Sequence, residues 1–329
     1  MNPVAALVLL CALASPLPGA SPAPEPLAPD VLLVPGRFVR GSQPDGNTVV
    51  LRSAEGLLVV DTGRRAEHVQ AILSLADSTR LPVRAVVNTH WHLDHVSGNP
   101  AVRRAHPGVE VLASDAIEEA LAGFLPRYRR QLAAVLAEEK DPEARRRWTE
   151  EIARIDAGSA LGPTRVVRRG ESLALAGRRV ELGLATAAAT AGDVWLLDSA
   201  SGVLAAGDLV TLPVPLLDTA CPEGWRAAVA RLSEVPFRIL VPGHGRPMSR
   251  PDLGRWRTAF DRLLACAASD ATVAACADGW IADLGPLLPE ADGPLARELL
   301  GHYVPEVLRA PPARVAERCR TRPGTGFVR

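Results

Sequence analysis

The chain has 329 residues, 47% of them hydrophobic, so a sizeable core is attainable and global disorder is excluded. Lysine plus arginine and aspartate plus glutamate both number 37, a formal net charge of zero, and no basic stripe recommends nucleic acid as a partner. The length admits two average domains or one domain with an extension.

Met1-Asn2-Pro3 precedes an apolar run over residues 4–14, followed by a Pro/Ala-rich leader over 21–30. The run is too short to span a bilayer, and Ala12 and Ala14, or Ala20, offer small residues for a signal peptidase. Residues 1–20 therefore read as a signal peptide, against an ordinary apolar segment, although no Lys or Arg precedes the run. The expected location is periplasmic or secreted, without stable membrane insertion; Leu9-Leu10 before Cys11 is a poor match to a lipoprotein box. Beyond this segment stand Cys221, Cys266, Cys276 and Cys319, an even count suited to two disulfides in an oxidising compartment. Sequence does not set their pairing, and four reduced, partly buried thiols are the alternative.

Short apolar runs at 31–34, 48–52 and 57–61, parted by turn residues, read as strands. Residues 65–79 carry Val69, Ile72, Leu73 and Leu75 at helical spacing, and 83–88 returns to a buried strand, giving a crossover unit. Residues 115–156, rich in Ala, Leu, Glu and Arg, read as a helical insertion that covers a cleft. Its clusters Arg127-Tyr128-Arg129-Arg130 and Arg145-Arg146-Arg147 are expected as solvated faces more than as anion sites. A second strand series follows at 166–185, 194–197 and 203–206, with turns at 176–178 and 199–202. The region 31–250 forms the main domain, and 251–329 reads as a helical C-terminal extension holding three of the four later cysteines.

The most informative segment is Asn88-Thr89-His90-Trp91-His92-Leu93-Asp94-His95-Val96-Ser97-Gly98-Asn99. It falls just beyond the C-terminal end of a strand, where open α/β sheets place their chemistry. Imidazoles at alternating positions of an extended segment project to one side, and an Asp and a His shortly after can reach the same space. Neutral imidazole and carboxylate suit Zn2+, with Mn2+ or Fe2+ as alternatives, and activation of water near neutral pH. A chance run of surface histidines is the bland reading, and three of the chain's seven histidines in one loop argue against it.

This segment resembles the His-x-His-x-Asp-His signature of the metallo-β-lactamase superfamily. Supporting motifs follow in family order: Val59-Val60-Asp61-Thr62-Gly63, Gly207-Asp208 and Pro242-Gly243-His244-Gly245. The resemblance covers roughly 31–250 and implies an α/β fold, the αββα four-layer sandwich, here with a helical C-terminal extension. It also implies His90 and His92 on a first metal, Asp94, His95 and His244 on a second, and Asp208 as the bridge, with one or two zinc ions. Asp61 would support the loop without binding metal. Asp94 is the expected catalytic residue, orienting a metal-held hydroxide that attacks an ester, thioester, lactone or amide of a small-molecule substrate. Asp208 in place of a cysteine is similar to the glyoxalase II, lactonase and phosphodiesterase branches.

One departure stands out. The family's third histidine on the first metal falls in Ala188-Ala189-Thr190-Ala191-Gly192-Asp193, where Ala189 takes its position, and no histidine lies between His106 and His244. His106, before Pro107-Gly108, reads as a surface turn. The first metal is then held more weakly, or one metal suffices at the second site, or catalysis is lost; Asp193 reaches the gap only if the loop geometry allows. The expected function is an exported metal-dependent hydrolase. The alternative is a non-catalytic binding or sensing protein with a degenerate site. An iron-using redox member is disfavoured by export and by the lack of a flavodoxin-like domain. Trp91 and residues 212–217 are candidates to line an apolar pocket, with packing an equal reading for Trp91.

Overall fold

The computed structural model describes residues 23–38 and 41–319; the segment read as a signal peptide lies outside them. The first sheet runs in the order β1 (Glu25–Ala28), β2 (Val31–Val34), β3 (Thr48–Arg52), β4 (Leu57–Val60), β5 (Val83–Val87), β6 (Glu110–Ala113) and β7 (Arg165–Val166). Pairs up to β3–β4 are antiparallel and the remaining three are parallel. Parallel pairs need crossovers, and each one here carries helices. α1 (Ala66–Thr79) joins β4 to β5, and α2 (Leu93–Val96) and α3 (Asn99–Ala105) lie between β5 and β6. Between β6 and β7 come α4 (Ala116–Glu119), α5 (Leu125–Glu138) and α6 (Pro142–Asp156). The Pro/Ala-rich leader contributes β1, an edge strand where Pro26 is tolerated.

The second sheet has the order β12-β11-β10-β9-β8, with β8 (Glu171–Leu175), β9 (Arg178–Thr186), β10 (Gly192–Asp198), β11 (Val203–Thr211) and β12 (Ile239–His244). Only β11–β12 is parallel, and α7 (Pro222–Leu232) makes its crossover. The chain ends with α8 (Arg250–Ala267), α9 (Val273–Leu284), α10 (Gly293–Tyr303) and α11 (Pro312–Arg318).

Side-chain alternation sorts the strands into layers. On β4, Leu58 and Val60 join Leu182, Leu196 and Val203 between the sheets, whereas Leu57 and Val59 pack with Ile72 and Ala76 of α1. All four positions of β4 are buried, as the two-sided cover of a parallel sheet requires. The result is the αββα four-layer sandwich with added C-terminal helices.

Those added helices share a core with the second sheet. Trp225, Trp256 and Trp280, from α7, α8 and α9, are buried in one core with Leu204 and Ala206 of β11. Their indole N–H groups donate to the carbonyls of Leu209, Thr211 and Pro213 in turn. Buried indoles need such acceptors, and this ladder fixes the chain that leaves Asp208. β11 therefore continues to Thr211, past the strand end expected at 206. Two disulfides, Cys221–Cys319 and Cys266–Cys276, tie the C-terminal helices to the domain and to each other.

Candidate metal centre

Asp61 follows β4 with a positive φ of 61° and collects the cluster loop from below. Its Oδ1 accepts the Thr89 N–H at 2.7 Å, and its Oδ2 accepts Thr89 Oγ1 at 2.7 Å and His95 Nδ1 at 2.8 Å. Each of these bonds decides where a proton sits. Thr89 spends its only hydrogen on Asp61, so its oxygen accepts from His90 Nδ1 at 3.0 Å. His90 and His95 are thus both Nδ1–H tautomers with bare Nε2 lone pairs. His92 is fixed the other way round: Thr219 Oγ1 donates to the Ala189 carbonyl at 3.2 Å and accepts from His92 Nε2 at 2.9 Å, leaving Nδ1 as the bare nitrogen.

The bare atoms converge. Asp208 Oδ2 lies 3.5 Å from His90 Nε2, and Oδ1 lies 3.3 Å from His95 Nε2 and 3.5 Å from His244 Nε2. Asp94 Oδ2 lies 3.0 Å from His244 Nε2 and 3.6 Å from His95 Nε2. His90 Nε2, His95 Nε2, His244 Nε2 and both Asp208 oxygens are buried without a hydrogen-bond partner. Among the described residues, His90, His95 and Asp208 form one group able to hold a metal ion, and Asp94, His95 and His244 form another. Asp208 turns Oδ2 toward His90 and Oδ1 toward His95 and His244. A donor set of imidazoles and carboxylates suits a metal ion, and the far nitrogens of His90, His92 and His95 are tied down as metal-ligating imidazoles usually are. Two glycines permit this closeness. A Cβ on Gly243 would stand 1.9 Å from Asp208 Oδ1, and one on Gly207, whose φ is 52°, would stand 2.5 Å from Thr89 Cβ.

Charge follows the same division. Burial, then the charge of His95, pushes His90 well below the usual imidazole range, and burial lowers His92. For His95 burial is outweighed by Asp61, Asp208 and Asp94, which raise it; His244 is raised by Asp208 and Asp94. Burial is likewise outweighed at Asp94 by His95, His244 and Arg64, and at Asp208 by His244, His95 and His90, so both carboxyls are held low.

Not every expected residue joins the two groups. His92 stays outside them, held by Thr219, and His106 caps α3 away from them. Asp193 does not fill the position left by Ala189: its carboxylate accepts Thr190 N–H and Oγ1, both at 2.9 Å, and closes that turn.

The model of the Metallo-beta-lactamase superfamily matches residues 42–277. The chain belongs to this superfamily. Among curated relatives it is 36% identical over 88 residues to an atrochrysone carboxyl ACP thioesterase of Aspergillus fumigatus, covering 26% of this chain and 28% of that one. It is 23% identical over 219 residues to a linear primary-alkylsulfatase of Pseudomonas sp., covering 61% of this chain and 41% of the relative. The matched parts therefore span well under half of those relatives. Similar solved structures include a metallo-beta-lactamase from Pontibacter korlensis, with TM-score 0.53, 21% identity, and 72% of this chain against 98% of that one. Another is the inverting sec-alkylsulfatase Pisa1 from Pseudomonas sp., with TM-score 0.56, 21% identity, and 87% against 50%. These structures share the superfamily fold.

Two residues outside any motif stand beside the candidate centre. Arg64, directly after Asp61-Thr62-Gly63, is buried; its Nη1 donates to Glu151 of α6 and its Nη2 lies 3.5 Å from Asp94 Oδ1. Glu151 takes a core position of α6, whose buried residues are Ala144, Trp148, Glu151 and Ile155. An acid at that spacing on an amphipathic helix is the one signal that sequence offered.

Beside His92 lies a cavity of about 570 Å³, walled by Phe38 and residues 41–44, by α5 and α6, and by α10 and α11. Trp91 does both things expected of it: it packs in the core of the insertion and lines this cavity, as does Leu216. Of the basic clusters, Arg127 and Tyr128 reach the cavity wall, whereas Arg129 pairs with Asp156 and Arg146 pairs with Glu143 and Glu150 in solvent. Among the described residues no helix is long and apolar enough to cross a membrane.

Proposed function

We propose that the chain is an exported, metal-dependent hydrolase whose ion or ions are held by His90, His92, Asp94, His95, Asp208 and His244. One observation carries this reading: the buried ring nitrogens of His90, His95 and His244 and the Asp208 oxygens, all without hydrogen-bond partners, cluster in two adjoining groups, with the His90 and His95 rings fixed from their far side. Zinc, or Mn2+ or Fe2+ in its place, supplies Lewis acidity and activates water. Asp94, kept ionised by His95, His244 and Arg64, accepts the hydrogen of the attacking water and orients it. Thr89 and Thr219 hold the imidazoles in the tautomers that leave their ligand nitrogens bare. With Ala189 in place of an imidazole, the group of Asp94, His95 and His244 is the tighter site.

The substrate class is an ester, thioester, lactone or amide. The names thioesterase and alkylsulfatase among the relatives favour an ester-type bond, a sulfate ester included. The apolar N-terminal run and the two disulfides support export. Ala189 also supports a second reading, a non-catalytic binding protein. A panel of carboxylic ester, thioester, alkyl sulfate, lactone and β-lactam, assayed before chelation, after chelation and after zinc is restored, separates the two. The hydrolase gives turnover that chelation removes and zinc restores; no turnover in zinc-loaded protein leaves the non-catalytic reading.

A further inference from the structure

The superfamily match ends at residue 277, yet the cavity beside His92 takes one wall from beyond it. α10 supplies Leu295, Leu299 and Tyr303, and the turn after it supplies Val307; Trp91 and Phe124 line the same space. In a chain with 4% aromatic residues this is a concentration of rings and branched side chains, not an average surface. Several polar groups on the wall are engaged: Arg64 holds Glu151, and Asp218 accepts the Tyr303 hydroxyl at 2.6 Å, whereas Gln131 Oε1 and Arg318 Nη1 are buried there without a hydrogen-bond partner. A volume near 570 Å³ is that of a site for a molecule of substantial size.

The outer part of that wall is held covalently. None of the seven residues of α11 is buried, so packing alone anchors it weakly. Cys319, next in the chain, is bonded to Cys221, two residues past the Thr219 that fixes His92. One loop thus carries both a support of the metal centre and the tether of the C-terminal wall.

We infer that the C-terminal extension is the substrate-selecting wall of the site: the cavity takes the apolar body, alkyl or aryl, of an ester whose scissile group lies at the His92 end. The scissile group rests on the hydrolase reading; the cavity's preference for an apolar body does not.

The test pairs kinetics with binding. For p-nitrophenyl esters from acetate to decanoate, kcat/KM should climb about three- to fourfold per added methylene until the cavity is filled. Decanoate should bind the chelated full-length protein by calorimetry, and Leu299→Glu should weaken that binding at least tenfold. Leu295→Phe, a milder change, should move the optimum to shorter chains, and Cys319→Ser should flatten the series. Equal turnover of acetate and decanoate, or equal decanoate binding by wild type and a folded Leu299→Glu or Leu295→Phe variant, overturns the inference. If no ester is cleaved while decanoate binds and the variants weaken it, the hydrolase reading fails and the cavity assignment stands.

Discussion

His92 Nε2 and Thr219 Oγ1 stand 2.9 Å apart, and the same hydroxyl donates to the carbonyl of Ala189, the residue at the position of the missing imidazole. The contact fixes the His92 tautomer across 127 residues of sequence. Thr219→Val removes the acceptor and frees the ring. Loss of such an outer partner should lower zinc affinity roughly ten- to a hundredfold, read by competition with a chromophoric chelator. An unchanged affinity would show that the hydroxyl has no hold on the centre.

Arg64 and Glu151 link the helical insertion to Asp94. Their side chains are 8% and 3% exposed, so removing one partner strands a buried charge. Glu151→Ala should therefore cost about 3–5 kcal/mol of stability, and Arg64→Met with Glu151→Met together should cost less than that. Urea unfolding measures both. A single variant within about 0.5 kcal/mol of wild type, the range of an ordinary surface substitution, would mean that the insertion is not fastened to the centre at this point.

Burial raises Asp193 to about 7 against an ordinary 3.8, with hydrogen bonds from Thr190 opposing. A raised folded value means the fold prefers the protonated acid. Its contribution to stability is full below the unfolded value and is lost as pH rises through about 7. Asp193→Asn keeps an oxygen for Thr190 and cannot ionise. In metal-free protein, the Tm of the variant relative to wild type should improve between pH 5 and pH 8. A constant difference over that range would contradict the assignment.

Much of this arrangement was legible in the sequence because its signals are local. His90, His92, Asp94 and His95 sit in one loop after a strand, and Asp61, Asp208 and His244 each stand in a short glycine-containing motif at or within a strand. The helices at 116–156 show as a local composition rich in Ala, Leu, Glu and Arg. What sequence hid is carried by long-range contacts. Thr219 is one hydroxyl in an unremarkable loop, and it matters only because folding sets it against His92 and Ala189. Arg64 gains its role from Glu151, 87 residues away. The continuation of β11 beyond Asp208 depends on indoles of α7 and α8, and the pairing of β1 on an edge that tolerates Pro26. The disulfide partners are likewise a result of helix packing, not of spacing.

The most direct test of the account is metal content per chain, measured by elemental analysis on wild type and on Asp208→Ala after equal exposure to zinc and removal of excess. The account predicts one or two equivalents in wild type and a clear loss in the variant, whose shared carboxylate is gone. Zinc-free wild type after that exposure, or equal content in both proteins, would contradict a metal centre built on these residues.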